Sequence, residues 1–304
     1  MRRSISIFLS LILVLSVLVF TSCGPAPAGE QGTEIIDAET AVQLLAVENT
    51  VLVDANNGVT YKKRHAEGAV SIPRTAIVIN DPVSNMLPPA SQLEVVMGAA
   101  GIGNDSLVLI YDNNKNMDAA RLWFTLKVYG YDNVKVISGG LNSLAAAGVE
   151  VVKTVPAVVP ASFKAGVLNQ DMLISSKDVR SNVENPPADY VLIDTRSIEE
   201  YNEGTIPGSV YLDFSGNNFS DSTFRPVNQI RIRYLEKKID YNDEVVMYCK
   251  TSIRGAQTYL ALYNAGYRNL KLYDGAWMEW TANPMNPVYV PEGAALNLNA
   301  ADQS

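Results

Sequence analysis

Short uninterrupted apolar runs, each closed by an acid, a glycine or a polar turn, alternate along this chain with stretches in which apolar residues return every three or four positions. The first kind reads as buried strand and the second as helix. Residues 34–48 carry Ile36, Val42, Leu44, Leu45 and Val47 on a helical period, with Asp37 as a candidate cap. Val51–Asp54 is a short strand ending in an acid, and Gly68–Pro73 is another after a turn. Ser91–Ala100 predicts a helix stopped by Gly101, Leu107–Tyr111 a strand leading into Asp112, and Ala119–Tyr129 a helix with Gly130 just past its end. Val134–Ile137 is a strand before Gly139 and Gly140, and Leu141–Ala147 is a short helix.

Residues 151–172 hold valine-rich patches and prolines with no period, and read as a linker. The pattern then returns. Ser176–Val183 is a helix, Val191–Asp194 a strand ending in an acid, Gly208–Tyr211 a further strand and Asn228–Lys238 a helix. Val245–Tyr248 is a strand, Arg254–Asn264 a helix stopped by Gly266, and Leu270–Tyr273 a strand before Asp274 and Gly275. Asp54 recurs as Asp194, Tyr111-Asp112 as Tyr248-Cys249, Gly130-Tyr131 as Gly266-Tyr267 and Gly140 as Gly275. A repeat this long means two copies of one α/β domain, residues 34–150 and 173–290, followed by a C-terminal tail over 291–304. Strands alternating with helices imply a mainly parallel sheet with helices on both faces in each copy. Sites in such sheets form at the carboxyl ends of strands, where Asp112 and Cys249 would sit.

The amino terminus has its own pattern. Arg2 and Arg3 precede an apolar run from Ile5 to Phe20, followed by Thr21-Ser22-Cys23. Residues 1–23 therefore read as a secretory signal peptide, short for a membrane span. The small residues before Cys23 resemble the lipobox of bacterial lipoproteins, with Phe20 where that pattern usually has leucine. The resemblance implies lipidation of Cys23 and a chain exported and anchored to the envelope membrane, on its periplasmic or extracytoplasmic face. An uncleaved N-terminal anchor is the alternative. Residues 24–33 are a flexible spacer with no apolar period. Cleavage would remove Arg2 and Arg3 and no acid, leaving the mature chain two charges more negative.

Composition then narrows the function classes. The net charge is −8, which argues against non-specific nucleic-acid binding. His65 is the only histidine, and two cysteines can build neither a disulfide framework nor a cysteine-rich zinc site. No Gly-rich phosphate cradle is present, and neither a metal nor a cofactor is expected.

The chemistry concentrates at Cys249. It ends a buried strand and opens a helix, with Lys250 and Arg254 on either side of Thr251, Ser252 and Ile253. Helix N-termini favour anions, and the thiolate is the sulfur nucleophile. Successive N–H groups of a tight turn can point at one anion, while Lys250 and Arg254 would favour the thiolate and attract an anionic substrate. A buried structural cysteine is the competing reading, and the polar turn after Cys249 argues against it. The first copy has Asp112 in place of the cysteine, and its loop to the next arginine, Arg121, spans residues 113–120 against 250–253 in the second. The chemistry is expected in the second copy alone.

These stretches resemble the tandem rhodanese family of thiosulfate sulfurtransferases. In the second copy the resemblance rests on Val191–Arg196, Glu200-Tyr201, Gly204–Ser209, Val246–Cys249 through Arg254, Ala265–Arg268 and Leu272–Trp280. In the first it rests on Val53-Asp54, His65, Gly68–Val70, Tyr111-Asp112, Ala120–Phe124, Gly130-Tyr131 and Ser138–Gly140. It implies that Cys249 attacks the outer sulfur of thiosulfate, releases sulfite and carries a persulfide to cyanide or a thiol. A Cys-x4-Arg loop favours the small sulfane group, where related phosphatases have a loop one residue larger. The thiosulfate type usually has lysine two places after the cysteine, where Thr251 stands here. The mercaptopyruvate type has an additional arginine where Glu200 stands. Two alternatives therefore stay open: 3-mercaptopyruvate as donor, and a persulfide-carrying module that hands sulfur to a partner without turnover. Asp194 and Arg196 are expected to brace the loop, and Trp277 and Trp280 to anchor packing near the pocket wall. Arg225, Arg231 and Arg233 are read as a solvated helix face, and His65 as a structural hydrogen-bonding residue.

Overall fold

A computed structural model describes residues 32–292. The signal peptide, Cys23, most of the spacer and nearly all of the C-terminal tail lie outside the described residues. Strand β1 (Ile35–Ile36) precedes helix α1 (Ala38–Leu45). The two isoleucines pair with Val136 and Ile137, so the helix expected from residue 34 begins four residues later. Asp37 caps it, accepting from the Thr40 N–H at 2.7 Å. The chain continues through β2 (Thr50–Asp54), α2 (Gly58–Lys63), β3 (His65–Ala66), β4 (Val70–Ser71), α3 (Ala90–Ala99), β5 (Leu107–Tyr111), α4 (Met117–Val128), β6 (Val134–Ile137) and α5 (Gly140–Ala146). Helix α2 was absent from the periodicity because six residues are too few to show one. Its signal is Asn57, whose side chain accepts from the N–H groups of Val59 and Thr60.

The first sheet has the order β1-β6-β5-β2-β4 and is parallel throughout. Strand β7 (Val151–Val152) pairs antiparallel with β3. The connection after it is tied down: Ala161 donates to Gly98 O and Gly166 to Tyr129 O, each at 2.9 Å, and Phe163 packs on Tyr131. Residues 151–172 thus strap the first domain before entering the second.

The second domain follows with α6 (Ser176–Glu184), β8 (Tyr190–Asp194), α7 (Ile198–Glu203), β9 (Val210–Tyr211), α8 (Val227–Leu235), β10 (Glu244–Tyr248), α9 (Ile253–Asn264), β11 (Leu270–Leu272) and α10 (Ala276–Ala282). Its parallel sheet has the order β11-β10-β8-β9, and the counterpart of β1 is reduced to one bridge between Leu173 and Leu272. Helices cover both faces of each sheet. Alternation along the central strands shows this directly, since Val108 and Ile110 enter one core while Leu109 and Tyr111 enter another. Likewise Val245 and Met247 face one way, and Val246 and Tyr248 the other. Among the described residues no helix is long and apolar enough to cross a membrane.

The inner faces share one core across the domain boundary. Helix α4 is buried on nearly every side and lies against α9, with Phe124 edge-on to Tyr259 at 4.9 Å and Trp123 edge-on to Tyr263 at 5.6 Å. The domains also exchange loops. Leu87 donates to Asp274 Oδ2 at 2.7 Å, and the equivalent residue of the other copy, Phe224, donates to Ser138 Oγ at 2.8 Å. Because the core is shared, Trp123→Ala should cost about 3–5 kcal/mol and leave urea unfolding as a single transition for both domains. Two separated transitions in tryptophan fluorescence and circular dichroism would contradict a shared core.

Candidate active site

Cys249 follows β10 and is 1% exposed. Three residues later Ser252 takes a left-handed backbone, φ 64°, and turns the chain into α9. The Ser252 hydroxyl donates to Tyr273 O at 3.1 Å and to Asp274 O, so it is a strut under the turn. Ile253 is buried and offers the turn only its backbone. Lys250 is exposed and Thr251 half-buried. Helix α10 clasps the turn from the other side: the N–H of Trp277 donates to Cys249 O at 3.0 Å and that of Met278 to Lys250 O at 3.2 Å. Among the described residues, the N–H groups of residues 250–254 reach no protein acceptor. They are the unpaired donors at the start of a twelve-residue helix, an end that favours anions.

Asp194 and Arg196 stand behind this turn. Asp194 accepts from Tyr248 Oη at 2.9 Å, Thr205 Oγ1 at 2.8 Å and Arg196 Nη2 at 2.7 Å. The Arg196 guanidinium lies 4.2 Å from the Trp277 ring centroid. Burial and the Asp194 charge push the Tyr248 hydroxyl well above its ordinary range, so it stays a donor. The group locks β8, β10 and α10 together and gives no side chain to a reacting atom.

Arg254 is not free. Its Nη1 and Nη2 grip both carboxylate oxygens of Glu200, the second at 2.9 Å. Burial opposes both charges, yet each holds the other ionised: Glu200 is lowered and Arg254 raised from their usual ranges, with Cys249 adding to the rise of Arg254. The expected free cation at the end of the loop is therefore half of a bidentate ion pair. Glu200, expected as a departure from the mercaptopyruvate pattern, is thus the partner of the loop arginine. Its signal was Ser197-x-x-Glu200, a capping box that the structure forms at α7.

The first copy corrects the expectation about loop length. Its turn, residues 112–116, is only one residue longer than residues 249–252. Asn116 occupies the left-handed corner at φ 62°, and the counterpart of Arg254 is Asp118, paired with Arg74 at 3.0 Å. Arg121 lies further along α4 and does not close the loop. Within this turn the Asp112 carboxylate accepts three N–H groups, from Asn114 at 2.6 Å, Asn116 at 2.9 Å and Ala119 at 2.8 Å. The first cradle is filled by its own side chain.

The remaining candidates lie elsewhere. His65 is buried between the carbonyls of Tyr61 and Thr154 and stacks on Tyr61. Arg225 precedes α8 and Arg231 and Arg233 lie on it; all three are half-buried, and each donates to a backbone carbonyl, of Gly216, Ala265 and Asp213 respectively. Trp280 is buried and donates to Pro287 O. Among the described residues no group of three metal-ligating side chains comes together.

The family of rhodanese-like domains matches residues 37–147 and 175–283. This chain belongs to that family. A putative thiosulfate sulfurtransferase of Saccharopolyspora erythraea is 26% identical over 276 residues, covering 85% of this chain and 96% of the relative. The thiosulfate sulfurtransferase of Bos taurus is 27% identical over 226 residues, covering 70% and 75%. An anaerobic ergothioneine biosynthesis enzyme from Chlorobium limicola, solved with trimethyl histidine, shares the fold at a TM-score of 0.74 with 21% identity, covering 84% of this chain and 69% of that one. The rhodanese-like turn thus occurs twice here, once with sulfur and once with a carboxylate.

Burial pushes the Asp112 carboxyl up to about 6, opposed by its N–H donors and helped by Asp118. The folded chain therefore holds this proton more tightly than the unfolded chain. Its contribution is complete below about pH 4 and is lost as pH rises through 6. In urea melts, the stability of wild type relative to Asp112→Asn should fall between pH 4 and pH 7. A pH-independent difference would show that Asp112 titrates alike in both states.

Proposed function

We propose that this chain is a sulfurtransferase that takes sulfane sulfur from thiosulfate onto Cys249 and passes it to a thiophilic acceptor, cyanide or a thiol. The observation that carries the reading is the Asp112 carboxylate inside the first cradle. Its oxygens are two bonds from Cβ. In a Cys249 persulfide the outer sulfur is also two bonds from Cβ. The first turn is thus a permanent likeness of a persulfide anion, and the second begins with the sulfur that would form one.

In the first step the Cys249 thiolate attacks the outer sulfur of thiosulfate. The new S–S bond forms as the old one breaks, and sulfite leaves with that bond's electron pair. In the second step the acceptor attacks the outer sulfur of the persulfide, and Cys249 departs as thiolate. Both steps place negative charge among the N–H groups of residues 250–254, at a helix N-terminus that favours it. No general base is needed. Glu200 neutralises much of Arg254, so the amides carry most of the stabilisation, and exposed Lys250 draws the anion in. Glu200 also holds the place where a mercaptopyruvate-type site would need an arginine, which favours thiosulfate as donor. The near-complete burial of Cys249 favours, as a second reading, a carrier that keeps its persulfide for a partner.

Protein lacking residues 1–23 should form thiocyanate from thiosulfate and cyanide, and Cys249→Ala should abolish it. Unchanged turnover in that variant would sink the assignment. A lasting +32 Da adduct on Cys249 with negligible steady-state rate would select the carrier. We also propose export through residues 1–23 and a lipid tether at Cys23, supported by the basic start, the apolar run and the small residues before that cysteine. Mass spectrometry of the mature protein should find Cys23 at the N-terminus bearing acyl chains. A retained Met1, or an unmodified terminus, would rule the tether out.

A further inference from the structure

Arg121 belongs to the domain without the cysteine and is completely buried. Its Nη2 donates to Asn85 O at 2.7 Å, and its Nη1 lies 2.8 Å from Asp274 Oδ1 across the domain boundary. The second contact is close but poorly aligned for a hydrogen bond, and Nε finds no acceptor among the described residues. A guanidinium withdrawn from water with donors left over is a poor source of stability, and an apolar side chain would fill the space at less cost.

The fold does not demand this charge. The repeat places Gln257 of α9 opposite Arg121 of α4, and Ser138 opposite Asp274. On that side Gln257 makes a neutral bond to Asn218, and Ser138 accepts from Phe224 as Asp274 accepts from Leu87. The ion pair therefore exists only on the side that faces the cysteine turn. There Asp274 touches that turn. Its carbonyl accepts from the Ser252 hydroxyl, and Ser252 holds the left-handed corner, a conformation costly for a residue with a Cβ. That corner decides where the N–H groups after Cys249 point. Arg121, Asp274 and Ser252 are a continuous line of contacts from the first domain to the donor ring.

We propose that Arg121 is a positioning residue for sulfur transfer, acting through Asp274 to hold the Ser252 corner and so aim the amides of residues 250–254. The first domain, which has no nucleophile of its own, completes the site of the second. This rests on the sulfurtransferase reading given above.

The test uses the full chain and the variants Arg121→Met, Arg121→Lys, Asp274→Asn and the Arg121→Met/Asp274→Asn double. In Arg121→Met the thiosulfate kcat should fall about 10- to 100-fold with KM little changed, as for a misplaced reacting group. Arg121→Lys should restore most of the rate, and the double variant should be no slower than the slower single. Amide hydrogen exchange should quicken in peptides covering residues 249–254 while residues 257–264 of α9 keep their protection. Unchanged exchange at 249–254, loss of protection spread evenly through α4 and α9, or additive rate losses would each overturn the proposal. If Arg121→Met does not fold, Asp274→Asn reads the same link from its other end. If wild type itself transfers no sulfur, the sulfurtransferase reading fails, and the exchange measurement alone decides whether Arg121 holds the corner.

Discussion

A strand that turns directly into a helix leaves a ring of N–H groups with no partner in the helix, and something anionic has to meet them. Each half of this molecule is built around one such turn, at the carboxyl end of its central strand. In the first half the Asp112 carboxylate meets the donors. In the second the ring opens on Cys249, and the protein supplies no acceptor among the described residues. The two turns differ in what opens them, a carboxylate in the first and a sulfur in the second.

The polar groups around the second turn are arranged to keep it rigid. The Ser252 hydroxyl, the two N–H groups at the start of α10, and the Asp194–Arg196–Tyr248 group hold it from below, from the side and from behind. Arg254 had every sequence credential of an anion-binding residue, yet its guanidinium is committed to Glu200. The charge balance of the site is consequently milder than the two basic residues of the loop suggest, and the fixed backbone dipoles matter more.

The long-range repeat, the strand cores and the cysteine were legible because burial writes itself into local patterns. Leu107–Tyr111 and Val134–Ile137 match the expected spans residue for residue, being runs in which all but Leu107 and Lys135 are buried. Short capped helices escaped. Helices α2 and α7 have six residues each, and their only signals are Asn57 and the Ser197–Glu200 box. Ile35 and Ile36 fit the helical period of residues 34–48 because their strand partner lies about a hundred residues away, beyond any local period.

Sequence by itself determined the duplication, the α/β class, the presence of the cysteine in one copy and of an aspartate in the other, and the net-negative composition. These follow from residue types and their spacing along the chain. Tertiary structure decided which charges are free. It paired Arg254 with Glu200, sent Arg121 across the domain boundary to Asp274, and turned the Ser252 hydroxyl away from the site toward two carbonyls. It also showed the longer loop of the first copy to be one residue longer and closed on its own carboxylate. Such partners are far apart in sequence, and only the packing of α4 against α9 and of β8 beside β10 brings them within reach.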